Sequence, residues 1–270
     1  MVSVSFQGER GAYGEAAARK FFKECQTLPL GTFADALDAA TDGRAEYAIL
    51  PVENSLEGSV GASYDLLHHT ELRVTGEIYH RIEHCLIGSG SLGEAGTVYS
   101  HPQALGQCRK FIEQHGMKTI PTYDTAGSVE IVRKLGRNDC ASIASEAASA
   151  IYGVPVIARN IADNPSNHTR FLILSQKESP RTGSDKTSII FSIRHEPGSL
   201  YRILAAFYES DINLTKIESR PTKTETWEYN FYVDFEGHKD DPQIQGVLEK
   251  IGKETLFIKA LGSYPAAGPD

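Results

Sequence analysis

Asn167-His168-Thr169-Arg170-Phe171-Leu172-Ile173-Leu174, followed by the polar run Lys177-Glu178-Ser179-Pro180-Arg181-Thr182-Gly183-Ser184-Asp185, decides how this chain divides. The first segment ends in an unbroken apolar run, as a strand buried on both faces does. The second carries Pro and Gly among charges and precedes another apolar strand at 188–193, so it reads as a linker between folded units. At the mouth of the first strand stand an amide, a hydroxyl and a guanidinium that a purely structural strand does not need. Polar donors beside an apolar wall suit a small anion.

Before the linker, strands and helices alternate. A strand at 2–6 precedes an Ala-rich helix at 12–22. Phe33, Ala36, Leu37 and Ala40 then fall at helical spacing, and a buried strand follows at 47–52. Further on, a strand ends at Ser100, a helix is expected from about Pro102 to His115, and the pattern continues to Ile161. Such alternation predicts an α/β fold with parallel sheets, helices on both faces and ligands beyond the carboxyl ends of strands. After the linker the expected order is strand, helix, strand, strand, helix, strand, the ferredoxin-like βαββαβ plan.

A chain of 270 residues with 40% hydrophobic and 23% charged residues is long enough for ample cores. Its net charge of -8 argues against a nucleic-acid partner, because a phosphate backbone requires a basic face. No apolar run has the length of a membrane span, and the start, Met1-Val2-Ser3-Val4-Ser5-Phe6, lacks the pattern of an export signal. Cys25, Cys85, Cys108 and Cys140 are scattered without paired spacing, which predicts a cytoplasmic chain with reduced thiols. The histidines show no zinc spacing, and Gly8, Gly11 and Gly14 do not match a dinucleotide fingerprint, so neither metal nor cofactor is expected.

Pro51-Val52-Glu53-Asn54-Ser55 and Ser100-His101-Pro102-Gln103-Ala104-Leu105 place further amides and hydroxyls at strand ends. With the Thr169 segment, they resemble the prephenate dehydratase family over essentially the whole chain. Pro197-Gly198-Ser199-Leu200 and Glu218-Ser219-Arg220-Pro221 resemble the ACT regulatory domain. The resemblance implies a two-lobed catalytic domain like periplasmic binding proteins, at 1–180, with one lobe at about 1–75 and 158–180 and the other at about 76–157. An ACT domain at 186–264 would follow. It also implies decarboxylative dehydration of prephenate to phenylpyruvate without a cofactor, in L-phenylalanine biosynthesis. L-phenylalanine would be the feedback inhibitor and a homodimer or homotetramer the assembly. On this resemblance, a length of 270 residues is expected to leave no region for a fused chorismate mutase or dehydrogenase. Arogenate dehydratase, acting on the amino-acid analogue, is the alternative enzyme, and a non-catalytic two-lobed sensor of small anions is the alternative of another class.

By that resemblance Thr169 is the expected hydrogen-bond donor to the departing hydroxyl, although threonine is also a common strand residue. Asn54, Ser100 and Gln107 complete the expected catalytic set. Arg170, Ser55, Asn167, Phe171 and Thr125 are expected to hold substrate. Strand alternation puts Asn167, Thr169 and Phe171 on one face and His168 and Arg170 on the other. Arg170 therefore either reaches the ligand through a bulge or pairs with an acidic neighbour and braces the strand. Asn54 and Ser55 are equally suited to capping a helix. Glu53 would repel an anionic ligand and is read as a bracing or regulatory residue. Gly198, Ser199, Leu200, Asn213, Leu214, Glu218, Ser219 and Arg220 are the expected phenylalanine site.

Overall fold

The structure, a computed structural model, describes residues 1–222 and 229–268; residues 223–228, inside the expected regulatory domain, lie outside that description. The chain opens with β1 (Val2–Gln7), α1 (Tyr13–Phe22), β2 (Cys25–Leu30), α2 (Phe33–Thr41), β3 (Tyr47–Asn54), β4 (Gly58–Ser59), α3 (Gly61–His69) and β5 (Arg73–Arg81). A second group follows: β6 (Cys85–Gly88), β7 (Thr97–Ser100), α4 (Pro102–Gln107), α5 (Arg109–Gln114), β8 (Lys118–Pro121), α6 (Gly127–Leu135), β9 (Cys140–Ala144), α7 (Glu146–Tyr152) and β10 (Val156–Ala158). Then come β11 (His168–Ser175), β12 (Asp185–Ser192), α8 (Ser199–Glu209), β13 (Leu214–Pro221), β14 (Tyr229–Glu236), α9 (Pro242–Gly252) and β15 (Phe257–Pro265).

The first sheet has the order β2-β1-β3-β11-β5, with β4 paired to β3. β1 runs parallel to β2 and β3, but β11 is antiparallel to both of its neighbours. The expectation of parallel sheets is corrected here: β11 enters from the second lobe and so runs against the strands already laid down. The second sheet, β10-β6-β9-β7-β8, is mixed for the same reason. The lobe crossings also fall later than 75 and 158. β5 stays in the first sheet through Arg81 and β10 in the second through Ala158, so the chain crosses at 82–84 and returns at 159–167. The helix expected over 102–115 is broken at Cys108 into α4 and α5.

β12, β13, β14 and β15 form the antiparallel sheet β13-β14-β12-β15. Alternation along β12 sends Ile189 and Phe191 into a core with α8 and α9. Ile190 points the other way, into a core shared with the first lobe, where Tyr232, Leu261 and Tyr264 meet Leu50, Val74, Leu172 and Leu174. At Gly262 the two backbones touch: a Cβ there would lie 2.2 Å from the Val74 carbonyl oxygen, so only glycine fits. Among the described residues, no helix is long and apolar enough to cross a membrane.

Candidate active site

A cleft of about 590 Å³ lies between the first two sheets. It receives the N-terminal ends of α1, α2, α4 and α6 through Ala12, Thr32, His101 and Ala126. Helix N-termini carry partial positive charge and unpaired N–H groups, so they favour anions. No Lys or Arg is among the described residues lining the cleft, which leaves those helix ends and neutral side chains to attract a carboxylate. Asp124, the acid among the described residues of the wall, is buried, and burial chiefly holds it above the ordinary carboxylate range, favouring its uncharged form. The lobes touch where Ser145 Oγ donates to the Gly11 carbonyl at 2.6 Å, and the Tyr123 hydroxyl donates to Glu9 at 2.9 Å.

Thr169, the second residue of β11, is 8% exposed and opens onto this cleft beside Phe171. Its Oγ1 accepts from Asn54 Nδ2 at 3.0 Å. The orientation of that amide is set by the backbone, because Asn54 Oδ1 accepts from the N–H groups of Leu56 and Glu57, at 3.0 and 3.1 Å. The amide nitrogen must then face Thr169. Among the described residues nothing accepts the Thr169 proton, so it is free for a ligand. Phe6, Ile49, Pro51 and Phe171 form an apolar wall on the same side.

The other expected site residues separate into those that reach the cleft and those that do not. Gln107 and Thr125 line it. Asn167 is fully buried and bridges, donating to Gln107 Oε1 at 3.0 Å and accepting from Asn54 at 2.7 Å. Ser100 is corrected: its hydroxyl donates to the Ile143 carbonyl at 2.6 Å and ties β7 to β9 rather than facing ligand. Ser55 is corrected likewise, since it donates to the Ser166 carbonyl and accepts from the His168 N–H, fastening the entry to β11.

Arg170 is the third correction. A bulge does occur beside it, but the extra residue is Val52 on β3, and Arg170 keeps to the face opposite Thr169. Its Nε donates to Glu77 at 2.7 Å, Nη1 to Asp234 at 2.5 Å and Nη2 to the Tyr264 hydroxyl at 3.1 Å. Burial alone opposes its charge, but Asp234, Tyr264 and Glu77 outweigh burial and raise its pKa. Glu53 pairs with Lys216 of β13 at 3.0 Å.

Sequence reading missed His84 and Tyr13. His84 Nε2 lies 2.9 Å from Gln107 Oε1, which already accepts from Asn167, so Nε2 carries the proton. The Tyr13 hydroxyl stands 2.9 Å from Nδ1 and 2.8 Å from the Glu83 carbonyl, so its single proton is shared between these two acceptors. A continuous chain therefore runs Tyr13, His84, Gln107, Asn167, Asn54, Thr169, crossing between lobes twice. The available signal was a histidine directly before β6, at the crossing.

A second cavity of about 300 Å³ lies at the start of α8, lined by Gly198, Ser199 and Leu200 together with His195, Tyr229 and Phe231. Glu218 and Arg220 point elsewhere, toward the first lobe: Glu218 accepts from Ser59 at 2.7 Å and Arg220 stands 4.0 Å from Asp65. Ser219 alternates to the exposed face, Leu214 joins the core under α8 and α9, and Asn213 donates to Glu236 at 3.1 Å. None of these five is among the described residues lining the cavity.

Fold and sites together define a two-lobed α/β protein with an interlobe cleft whose lining suits a small anion and a second ligand-sized cavity in a βαββαβ domain. The prephenate dehydratase family pattern matches residues 4–179, and the ACT domain pattern matches 187–253. A bifunctional chorismate mutase/prephenate dehydratase of Aquifex aeolicus is 39% identical over 98% of this chain and 74% of its own length. Arogenate dehydratase/prephenate dehydratase 2 of Arabidopsis thaliana is 39% identical over 98% of this chain and 73% of its own. The crystal structure of prephenate dehydratase in complex with L-Phe from Arthrobacter aurescens superposes with a TM-score of 0.88 at 30% identity, covering 98% of this chain and 90% of that one. The chain belongs to the prephenate dehydratase family, and it is an enzyme of that kind with an ACT domain at its C-terminal end.

Proposed function

We propose that prephenate is converted to phenylpyruvate in the cleft beside Thr169, and that the freed Thr169 proton is the feature on which catalysis turns. As the ring carboxylate leaves as carbon dioxide, its bonding electrons enter the ring and the allylic C–O bond breaks. Charge then develops on the departing oxygen. A hydroxyl fixed by Asn54 and aimed at that oxygen stabilises the charge without itself ionising, and water supplies the proton that completes the departing water molecule. The apolar wall at Phe6, Pro51 and Phe171 keeps the ring carboxylate poorly hydrated, which favours its loss. Helix N-termini and Thr125 are assigned to the carboxylates, while Gln107 and Asn167 hold Asn54 in register.

Residues 1–180 are assigned to the catalytic unit and 186–264 to the regulatory unit. L-phenylalanine is assigned to the cavity at Gly198, whose aromatic and glycine-turn lining suits an aromatic amino acid. A cytoplasmic homodimer or homotetramer is the proposed setting. The test is appearance of phenylpyruvate from purified protein and prephenate, with and without L-phenylalanine, beside the same assay on arogenate. No product from prephenate, with turnover of arogenate, would transfer the assignment to the amino-acid analogue.

A further inference from the structure

The ion cluster around Arg170 is built from both halves of the chain. Arg170 and Glu77 belong to β11 and β5, whereas Asp234, Ser188, Lys186 and Tyr264 belong to the C-terminal sheet. All are buried, none more than 9% exposed. Every charged group has a defined partner: Glu77 Oε1 accepts from Lys186 Nζ at 2.7 Å and from the Ala267 N–H at 2.9 Å, while its Oε2 accepts from Arg170. Asp234 Oδ1 accepts from Ser188 at 2.5 Å, and Ser188 stands 2.6 Å from the Tyr264 hydroxyl. Two cations thus face two carboxylates, with no surplus charge.

Arg170 is adjacent in sequence to Thr169, at the point where β3 loses register with β11. A strand beside a bulge has fewer backbone constraints than one in a regular ladder, so its side-chain anchors matter more. On the cleft face Thr169 is held by Asn54, and on the other face the first anchor is the Arg170 guanidinium. We propose that Asp234, although it belongs to the ACT domain, is a positioning residue for Thr169 and acts through Arg170. It rests on Thr169 being the hydroxyl donor. Taking away the Asp234 charge leaves two buried cations, Arg170 and Lys186, balanced by the single carboxylate of Glu77 and weakens the hold on Arg170 Nη1, so Arg170 shifts, and its neighbour shifts with it. β14 also carries Tyr229 and Phe231, which line the small cavity, so a ligand bound there bears on the strand that holds Arg170.

The experiment is Asp234→Asn in the full chain, assayed well below its melting temperature. We expect kcat to fall at least tenfold with KM within threefold of wild type. In a Thr169→Ala background the same change should alter kcat less than twofold, because the group it positions is gone. Tyr264→Phe, a milder loss of one hydroxyl, should lower kcat about threefold and serves if the Asn variant does not fold. A crystal structure of Asp234→Asn should show the Asn54–Thr169 contact opened. Wild-type kcat in a folded Asp234→Asn or Tyr264→Phe protein overturns the proposal, as does an equal loss with and without Thr169, or an unchanged Asn54–Thr169 contact. Wild-type turnover of prephenate is a separate reading, and the crystallographic result stands without it.

Discussion

Thr169 has its oxygen engaged and its proton free, a combination that depends on which way one amide is turned. Thr169→Ala should lower kcat by about a hundredfold, the scale of losing one preorganised donor, and Thr169→Ser should recover most of it. Equal turnover in the Ala variant would reduce Thr169 to a strand residue. His84 offers a check on the chain of hydrogen bonds behind it. Burial lowers its pKa below the usual imidazole value, and the hydrogen bond to Gln107 only partly opposes this. The unfolded chain therefore takes up a proton first as pH falls. Stability from this residue is complete above the ordinary value of about 6.5 and is lost below it. Between pH 7.5 and 5.5 the melting temperature should fall further in wild type than in His84→Gln, and equal slopes would show that His84 is not held neutral. That Thr169, Asn54, Gln107 and Thr125 line the cleft was legible because Asn54 and Thr169 sit at strand ends within motifs, Thr125 just before a helix, and Gln107 four residues after Gln103 on α4. Ser100 and Ser55 have the same local signature, and only the carbonyls of Ile143 and Ser166, supplied by distant segments, reveal that their hydroxyls are spent.

The strand β11 turns one face to the cleft and the other to the C-terminal sheet. Alternation was readable in the sequence, and it correctly separated Thr169 and Phe171 from Arg170. What lay opposite each face was not readable, since Asp234 and Tyr264 stand 64 and 94 residues from Arg170. A guanidinium next to a hydroxyl that opens onto the cleft suggests anion binding until those partners appear. The consequence is a specific shift in expected phenotype. Arg170→Lys should leave KM for substrate within about threefold while lowering both kcat and thermal stability, because a point charge cannot satisfy three partners at fixed angles. Outright removal of one member of a buried pair typically costs about 3–5 kcal/mol; Lys keeps the charge but not the fork, so the melting temperature should drop by part of that amount. Weakened substrate binding with an unaltered melting temperature would return Arg170 to the cleft.

At the scale of the molecule, the order of domains was plain from the linker and the change in strand–helix pattern. The depth of contact between them was not, because Ile190, Tyr232 and Leu261 look like ordinary strand residues until the first lobe covers them. Gly198 has φ +84, a conformation that side chains rarely adopt, at the wall of the small cavity. Gly198→Val should weaken L-phenylalanine binding and inhibition together, with uninhibited turnover within about twofold, as linkage between two sites requires. Calorimetric titration beside inhibition curves checks this, and inhibition at the wild-type concentration would move the effector to the catalytic cleft. The backbone contact between Gly262 and Val74 has a thermodynamic corollary. The first lobe and the C-terminal sheet share a core beside their own, so they should melt together, and heating should give a single endotherm whose calorimetric and van't Hoff enthalpies agree. An effector bound at the far end would then protect the whole chain from heat, proteases and denaturant alike, adding about 2.7 kcal/mol at a hundred times its dissociation constant.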